Sequence, residues 1–382
     1  MRGPMSVRPI VIAAGGTGGH LFPAEALAAE LVARGERVAL MTDARSAAYD
    51  SPAFAVADRF VLKGSGLAGR GVRRAAQGVA ALLAGTARAR QLLRQLDASA
   101  VVGFGGYASF PPLAAVRLMS KATRPVTVLH EQNAVLGRAN RLLARGVDLL
   151  ALSFPGTQLV PRACAARAQV VGTPVRPALA ALAGRGYPVP PEGAALRVLV
   201  LGGSQGARIF ADIVPPAIAA LPDMLRARLL ITQQCRPEDL DRTRAAYAAA
   251  GVPAELAPFF PDIAGRLATT HLVIARAGAS TVAELACAGR PSILVPLPHA
   301  IDDHQAANAR ALAEAGAAWV MPQAQFTAET LCTQLATLCS DTVVLAEAAD
   351  AAASLARPDA ARNLADQVLA LIARAASPAG VR

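Results

Sequence analysis

The same local plan is written twice in this chain, about 190 residues apart. Val7 to His20, VRPIVIAAGGTGGH, and Leu196 to Phe210, LRVLVLGGSQGARIF, each pass from an apolar run through a glycine cluster into a helix-forming segment. An uninterrupted run of β-branched and aliphatic residues suits a strand buried on both faces of a parallel sheet. Strand-like and helix-like segments alternate after each copy. Strands are expected near 8–14, 37–42, 99–103, 126–130 and 148–152, and again near 197–201, 228–232, 271–275 and 292–296. That alternation predicts an α/β chain of two Rossmann-like, doubly wound parallel-sheet domains built from right-handed βαβ units. Gly172 to Arg197 holds five prolines and four glycines and reads as a hinge with a short helix inside. The expected domains are 1–175 and 176–356. The tail, about 357–380, reads as an amphipathic helix with Leu364, Val368, Leu369 and Ile372 as its apolar stripe, able to pack on either domain and assigned back to the first.

Composition removes several classes. A chain of 382 residues, 54% hydrophobic and 17% charged, buries a core without staples. Its five cysteines are odd in number and scattered without a CxxC pair, against a disulfide framework or a zinc site and in favour of a reducing cytoplasm. The longest uncharged stretch, Ala98 to Val116, is broken by Gly103, Gly105, Gly106, Pro111 and Pro112, so no membrane span is expected. The apolar run after Arg2 and Arg8 stops at Gly15 and Gly16 with no cleavage pattern, so no export is expected either. Residues 1–182 carry 22 Lys and Arg against 9 Asp and Glu, and the remainder is slightly acidic. From Lys63 to Arg94 the basic residues (Arg70, Arg73, Arg74, Arg88, Arg90) mix with Leu67, Val72, Val79, Leu82 and Leu83, and no aromatic occurs. Without stacking aromatics this is a poor nucleic-acid surface. It suits either an anionic lipid surface or an ordinary solvated helix face.

Three glycine turns join a strand to a helix: GGTGGH (Gly15 to His20), GFGGYAS (Gly103 to Ser109) and GGSQGA (Gly202 to Ala207). Such a turn gathers backbone N–H groups and the positive end of a helix at one point, a place for phosphate. It also simply permits a tight turn. None spells GxGxxG; only Gly103 to Ala108 fits the looser GxGxxA, without an acidic residue at the spacing that would hold a ribose. Asp43, ending the second strand, keeps an NAD(P)-dependent oxidoreductase as the rival enzyme class. No GxxxxGK[ST] occurs, which removes P-loop ATPases.

In the second half, Ala275 to Pro298 places Ser280, Thr281 and Glu284 at the start of a helix after an apolar strand. Glu284 is read either as a dipole partner or as a bidentate acceptor for ribose hydroxyls. Downstream, His299, Asp302, Asp303, His304, Gln305 and Asn308 crowd into ten positions, Gln305 and Asn308 on one helical face. Asn and Gln suit neutral sugar hydroxyls. The histidines and aspartates lack a second cluster, so no metal is assigned.

These motifs, in this order from about Pro9 to Gly316, resemble the MurG transferase family of peptidoglycan synthesis: GGTGGH, GFGGYAS, LHEQNAVLGRANR (Leu129 to Arg141), VGTPVR (Val171 to Arg176), GGSQGAR, FFPDI (Phe259 to Ile263), RAGAST/E and HQAANA. The resemblance implies the GT-B glycosyltransferase architecture, with the two domains facing across a cleft. It implies an inverting transfer of N-acetylglucosamine from UDP-GlcNAc to the 4-hydroxyl of the muramyl sugar of lipid I, giving lipid II, with no cofactor. Carried over residue by residue, Phe260 would meet uracil and Glu284 the ribose. Ser204 and Arg176 would meet the diphosphate, and Ala279, Ser280, Thr281, Val282 and Ala283 would line the nucleotide site. Gln305, with Asn308, would grip the sugar. Thr17, Gly18, Gly19 and Asn133 would close on it from the first domain, with Gly105, Gly106, Tyr107 and Asn140 on the acceptor side. His20 is the leading general base, with His130 and Glu131 as competitors. The resemblance also implies a peripheral protein on the cytoplasmic face of the bacterial membrane, with an anionic lipid surface and other cell-wall synthesis proteins as partners.

Two departures stand out. TQQC (Thr232 to Cys235) replaces the family's HQ(S/T)G, with Gln233 as the expected stand-in for histidine, and the HAIDDHQ loop is one residue longer than in many members. Transfer to another glycolipid or aglycone is the alternative reading, and a non-catalytic scaffold on the inner membrane surface is a third.

Overall fold

The structure is a computed structural model that describes residues 8–16, 18–49, 51–62, 72–191, 193–204 and 206–377, with backbone alone at 72–76. The chain forms two compact units, Met1–Arg176 with Asp359–Arg382, and Pro177–Pro358.

The first unit holds β1 (Ile10–Ala13), β2 (Val38–Thr42), β3 (Asp58–Val61), β4 (Ala100–Gly103), β5 (Val126–Glu131), β6 (Leu149–Leu152) and β7 (Ala168–Val170). They form one parallel sheet in the order β3-β2-β1-β4-β5-β6-β7, with Ile10 level with both Val38 and Ala100. Ile10 and Ile12 face a core shared with Leu27 and Leu31 of the helix Gly18–Ala33. Val11, pointing the other way, joins Leu92, Leu93, Leu113 and Leu129. The chain's last helix, Ala360–Ala376, returns to this unit and puts Leu364, Ala365 and Val368 into the same core as Ile10. Arg34 ties that helix down through Asp366.

The second unit holds β8 (Leu196–Leu201), β9 (Leu229–Gln234), β10 (Ala254–Ala257), β11 (Leu272–Ala275), β12 (Ser292–Leu294) and β13 (Ala318–Val320), in the parallel order β10-β9-β8-β11-β12-β13. Its core gathers Val198 and Val200 with Phe210, Val214 and Ile218 of the helix Arg208–Ala219. The proline-rich stretch before it contains the short helix Pro177–Ala180. That stretch is pinned to the unit by Tyr187 Oη donating to the His271 carbonyl (3.0 Å) and by Arg290. Arg290 is buried with no carboxylate partner among the described residues, and its guanidinium donates to the carbonyls of Leu267, Ala268, Gly186 and Gly289.

All nine strands expected from sequence are present; β3, β7, β10 and β13 are additional. These four are the sheet edges. Their sequences, DRFV, AQV, AELA and AWV, are short and only partly buried, so they lack the apolar run that marks a strand enclosed on both faces.

Candidate active site

In each sheet the strand order reverses at one place, between β1 and β4 and between β8 and β11. Connections leave in opposite directions there, so a crevice opens at the carboxyl ends of the strands, where α/β sheets bind ligands. The sequence puts its glycine turns at both reversals.

In the first unit Gly15 and Gly16 follow β1. A Cβ on Gly15 would lie 2.9 Å from that of Ala108, so the two loops touch only because glycine is there. Gly16, at φ +89°, donates its N–H to Ser46 Oγ (2.8 Å), whose own N–H bonds Asp43 (2.9 Å). Asp43 thus braces the loop. Thr17 lies outside the described residues. Gly18 and Gly19 open the helix Gly18–Ala33, and His20 is its third residue. Facing it, Gly105 (φ +83°) and Gly106 (φ +68°) lead from β4 into the helix Gly106–Arg117. The missing Cβ atoms of Gly105 and Gly106 would lie 3.5 and 3.3 Å from the His20 ring. Tyr107 is exposed.

The end of β5 supplies HEQN. His20 Nδ1 is 2.9 Å from Gln132 Oε1, and Gln132 Nε2 is 2.9 Å from His130 Nδ1. His130 Nε2 is in turn 2.8 Å from the Gly172 carbonyl. His130 is completely buried, and burial pushes its imidazole down to about 4 against the favourable Gly172 contact. Glu131, also buried, accepts from the Asn133 N–H (2.9 Å) and Nδ2 (3.0 Å) on one oxygen. Its other oxygen accepts from the Gly137 N–H (2.9 Å) and Asn140 Nδ2 (2.8 Å). It organises the turn 131–140. Asn140 Oδ1 is buried beside Gly105 without a hydrogen-bond partner among the described residues. The Arg176 guanidinium lies 4.6 Å over the Phe22 ring of the first helix.

In the second unit the loop after β8 carries Gly202, Gly203 and the exposed Ser204; Gln205 lies outside the described residues. Gln234 Oε1 accepts from the Gly202 N–H (3.0 Å), while its Nε2 donates to the carbonyls of Gly203 (3.0 Å) and Pro258 (3.1 Å). Gln233 points to the opposite face, completely buried, and accepts from Tyr247 Oη (2.6 Å). Successive strand residues face opposite sides, and it is Gln234 that reaches the glycine loop.

The loop after β11 leads to the helix Ala279–Ala288, capped by Gly278 with no side-chain cap bond. Its first amides therefore receive no bond from a capping side chain. Ser280 and Thr281 sit half-buried in that first turn rather than at the cap, with Val282 and Glu284 buried and Ala283 half-buried. Phe260 is buried, with the Arg266 guanidinium 4.1 Å over its ring; its neighbour Phe259 is the exposed aromatic. The long loop before the helix His304–Ala313 holds His299, Asp302 and Asp303 at φ between +52° and +59°. Gln305 Oε1 accepts from the Leu297 N–H (2.9 Å), fixing the end of that loop. Asn308 is completely buried and donates to the Ala277 carbonyl (3.1 Å), so it shapes the turn before Gly278.

Sequence reasoning passed over Gln132 and Gln234. Both sit inside motifs it quoted, one residue from a position it named. Strand alternation was the signal that could have separated them from their neighbours.

Two family models match the chain: the glycosyltransferase family 28 N-terminal domain over residues 10–151 and the C-terminal domain over 197–364. The UDP-N-acetylglucosamine--N-acetylmuramyl-(pentapeptide) pyrophosphoryl-undecaprenol N-acetylglucosamine transferase of Granulibacter bethesdensis is 56% identical, over 100% of this chain and 98% of its own. The protein of the same name from Rhodospirillum centenum is 55% identical, over 96% and 95%. Among solved structures, the crystal structure of Acinetobacter baumannii MurG superposes with a TM-score of 0.74 at 30% identity, covering 95% of this chain and 99% of that one.

Proposed function

This chain belongs to glycosyltransferase family 28 and, within it, to the MurG transferases of the GT-B fold, and from that premise we propose that it moves N-acetylglucosamine from UDP-GlcNAc to the muramyl 4-hydroxyl of lipid I, forming lipid II. The observation that carries the reading at atomic level is His20. It is half-buried, held at Nδ1 by Gln132, with its other edge against the glycine turn Gly105–Gly106.

The second unit takes the donor. The uncapped amides of Ala279 to Thr281 and the loop at Ser204 face the diphosphate, which gains negative charge as the glycosidic bond breaks. Glu284 holds the ribose hydroxyls, Phe260 borders the uracil, and Val282 and Ala283 line the nucleotide site. Gln305 offers its amide nitrogen to the sugar. Asn308 acts through the turn it braces, since its side chain is completely buried. Thr17, Gly18, Gly19, Asn133 and Arg176 act from the first unit.

His20 removes the proton of the acceptor hydroxyl as that oxygen bonds to the anomeric carbon, and the C–O bond to UDP breaks with its electrons leaving on the diphosphate. Attack opposite the leaving group inverts the anomeric centre. His130 is sealed from solvent and Glu131 is surrounded by the donors of its own turn, so both support His20 rather than compete with it. Tyr107 and Asn140, beside Gly105 and Gly106, face the acceptor.

We assign the protein to the cytoplasmic membrane surface. No helix among the described residues is long and apolar enough to span a bilayer. The helix Val72–Leu96 exposes Val79 and Leu83 beside Arg88 and Arg94, which suits an anionic lipid surface. The residues 63–71 of the basic stretch lie outside the described residues. Cell-wall synthesis proteins are the natural further partners for an enzyme working there.

UDP release from UDP-GlcNAc, measured with and without lipid I, tests the assignment. Release that requires lipid I supports it; bound donor with no release would mean that the acceptor is a different one.

A further inference from the structure

Four groups in the first unit are joined end to end: the Gly172 carbonyl, His130, Gln132 and His20. The proton positions along this row follow from what each atom can do. A carbonyl oxygen only accepts, so His130 Nε2, 2.8 Å from the Gly172 carbonyl, carries a hydrogen. His130 is completely buried and neutral, so its Nδ1 holds a bare lone pair.

Gln132 Nε2 lies 2.9 Å from that lone pair and 3.0 Å from the His130 carbonyl. Two acceptors therefore fix which end of the Gln132 amide is nitrogen. The end that faces His20 is the oxygen, 2.9 Å from Nδ1, and it too can only accept. His20 must donate from Nδ1. In the neutral ring this leaves the lone pair on Nε2, the edge turned toward Gly106, whose missing Cβ would lie 3.4 Å from that nitrogen.

An isolated histidine side chain favours the other tautomer, with the proton on Nε2, which has nothing to give a hydroxyl proton. We propose that Gln132, itself oriented by His130, is a positioning residue that holds His20 in the Nδ1–H form and so keeps Nε2 ready to accept the acceptor's proton. The proposal rests on His20 as the base. The balance closes without rearrangement. The hydroxyl proton passes to Nε2 while its oxygen forms the bond to the anomeric carbon, and the electrons of the broken C–O bond leave with the diphosphate. The resulting imidazolium keeps its Nδ1–H bond to Gln132. In Ser-His-Asp triads a carboxylate does this work, and replacing it there leaves the histidine in the wrong tautomer at a large cost in turnover. Here a neutral amide sets the tautomer, and its own orientation is set by the His130 carbonyl and by a buried ring that the Gly172 carbonyl holds.

The test uses the full-length chain labelled with 15N-histidine, which has five histidines, with His20 identified by its absence in His20→Asn. Long-range 1H–15N spectra at pH 8 distinguish the tautomers. The expected wild-type result is Nδ1–H at His20 and Nε2–H at His130; Nε2–H at His20 would overturn the proposal without any variant. In Gln132→Leu the His20 signals should move to the Nε2–H pattern, with kcat down roughly 10- to 100-fold and KM for UDP-GlcNAc unchanged. Gln132→Glu still accepts from Nδ1 and should recover part of the lost kcat. An unmoved tautomer in Gln132→Leu, or KM and kcat falling together, would overturn the positioning role. Full turnover in His20→Asn would instead sink the base assignment, and with it the catalytic purpose of the row, while the wild-type spectrum would still decide the hydrogen-bond assignment.

Discussion

Gly106 shows how little freedom one position has here. Its φ of +68° disfavours any side chain, and a Cβ would press on the Nε2 edge of the His20 imidazole. Gly106→Ala should cost about 1 kcal/mol of stability from the backbone alone. Its turnover should fall with little change in donor affinity, read by urea melts beside steady-state kinetics. His20→Ala should lower kcat by roughly 10²- to 10⁴-fold while UDP-GlcNAc still binds by calorimetry; equal loss of both would remove His20 from the chemistry. His130 gives a pH signature. Its folded pKa of about 4 lies below the ordinary 6.5, so the unfolded chain binds the extra proton between those values. Its contribution is complete above about pH 6.5 and is lost as pH falls toward 4, up to about 3 kcal/mol. Urea midpoints at pH 7 and pH 5 should differ more in the wild type than in His130→Phe, where this term is gone.

At the scale of elements, the interior strands and their glycine turns were legible because burial on both faces leaves an uninterrupted apolar run. The edges were not. Asp58 on β3 pairs with Arg37 (2.7 Å) and Glu255 on β10 pairs with Arg266 (2.6 Å), so a strand with one open side carries charge where an inner strand carries valine. The candidate site divides in the same way. Residue types that signal chemistry, such as His20 and Glu284, stand out in a sequence. Gln132, Gln234 and Asn308 act by orienting a neighbour, and which neighbour is decided only by the fold. The same limit hid Arg290, which bridges the proline-rich stretch, the helix end at Gly289 and the turn at Leu267 with no anionic partner among the described residues. Arg290→Met should strand those carbonyls and destabilise the second unit by about 3 kcal/mol, seen as a fall in its melting midpoint.

On the scale of the whole molecule, the excess of positive charge lies in the first 182 residues, and the exposed Val79 and Leu83 accompany it. Binding to vesicles rich in anionic lipid should weaken as salt rises and weaken further in Leu83→Glu, with UDP-GlcNAc affinity unchanged. Sedimentation with liposomes checks both. The returning helix Ala360–Ala376 bears on how the molecule comes into being. Leu364 and Val368 complete a core whose members include Ile10, Ile12 and Leu27, made before the whole of the second unit. The second unit, Pro177–Pro358, is translated in between and already has every residue it needs. Domains usually close in the order in which they leave the ribosome. Here the first unit closes its core with residues that follow the whole of the second unit, so the apolar seam beside the helix Gly18–Ala33 is filled only after Pro177–Pro358 has been made.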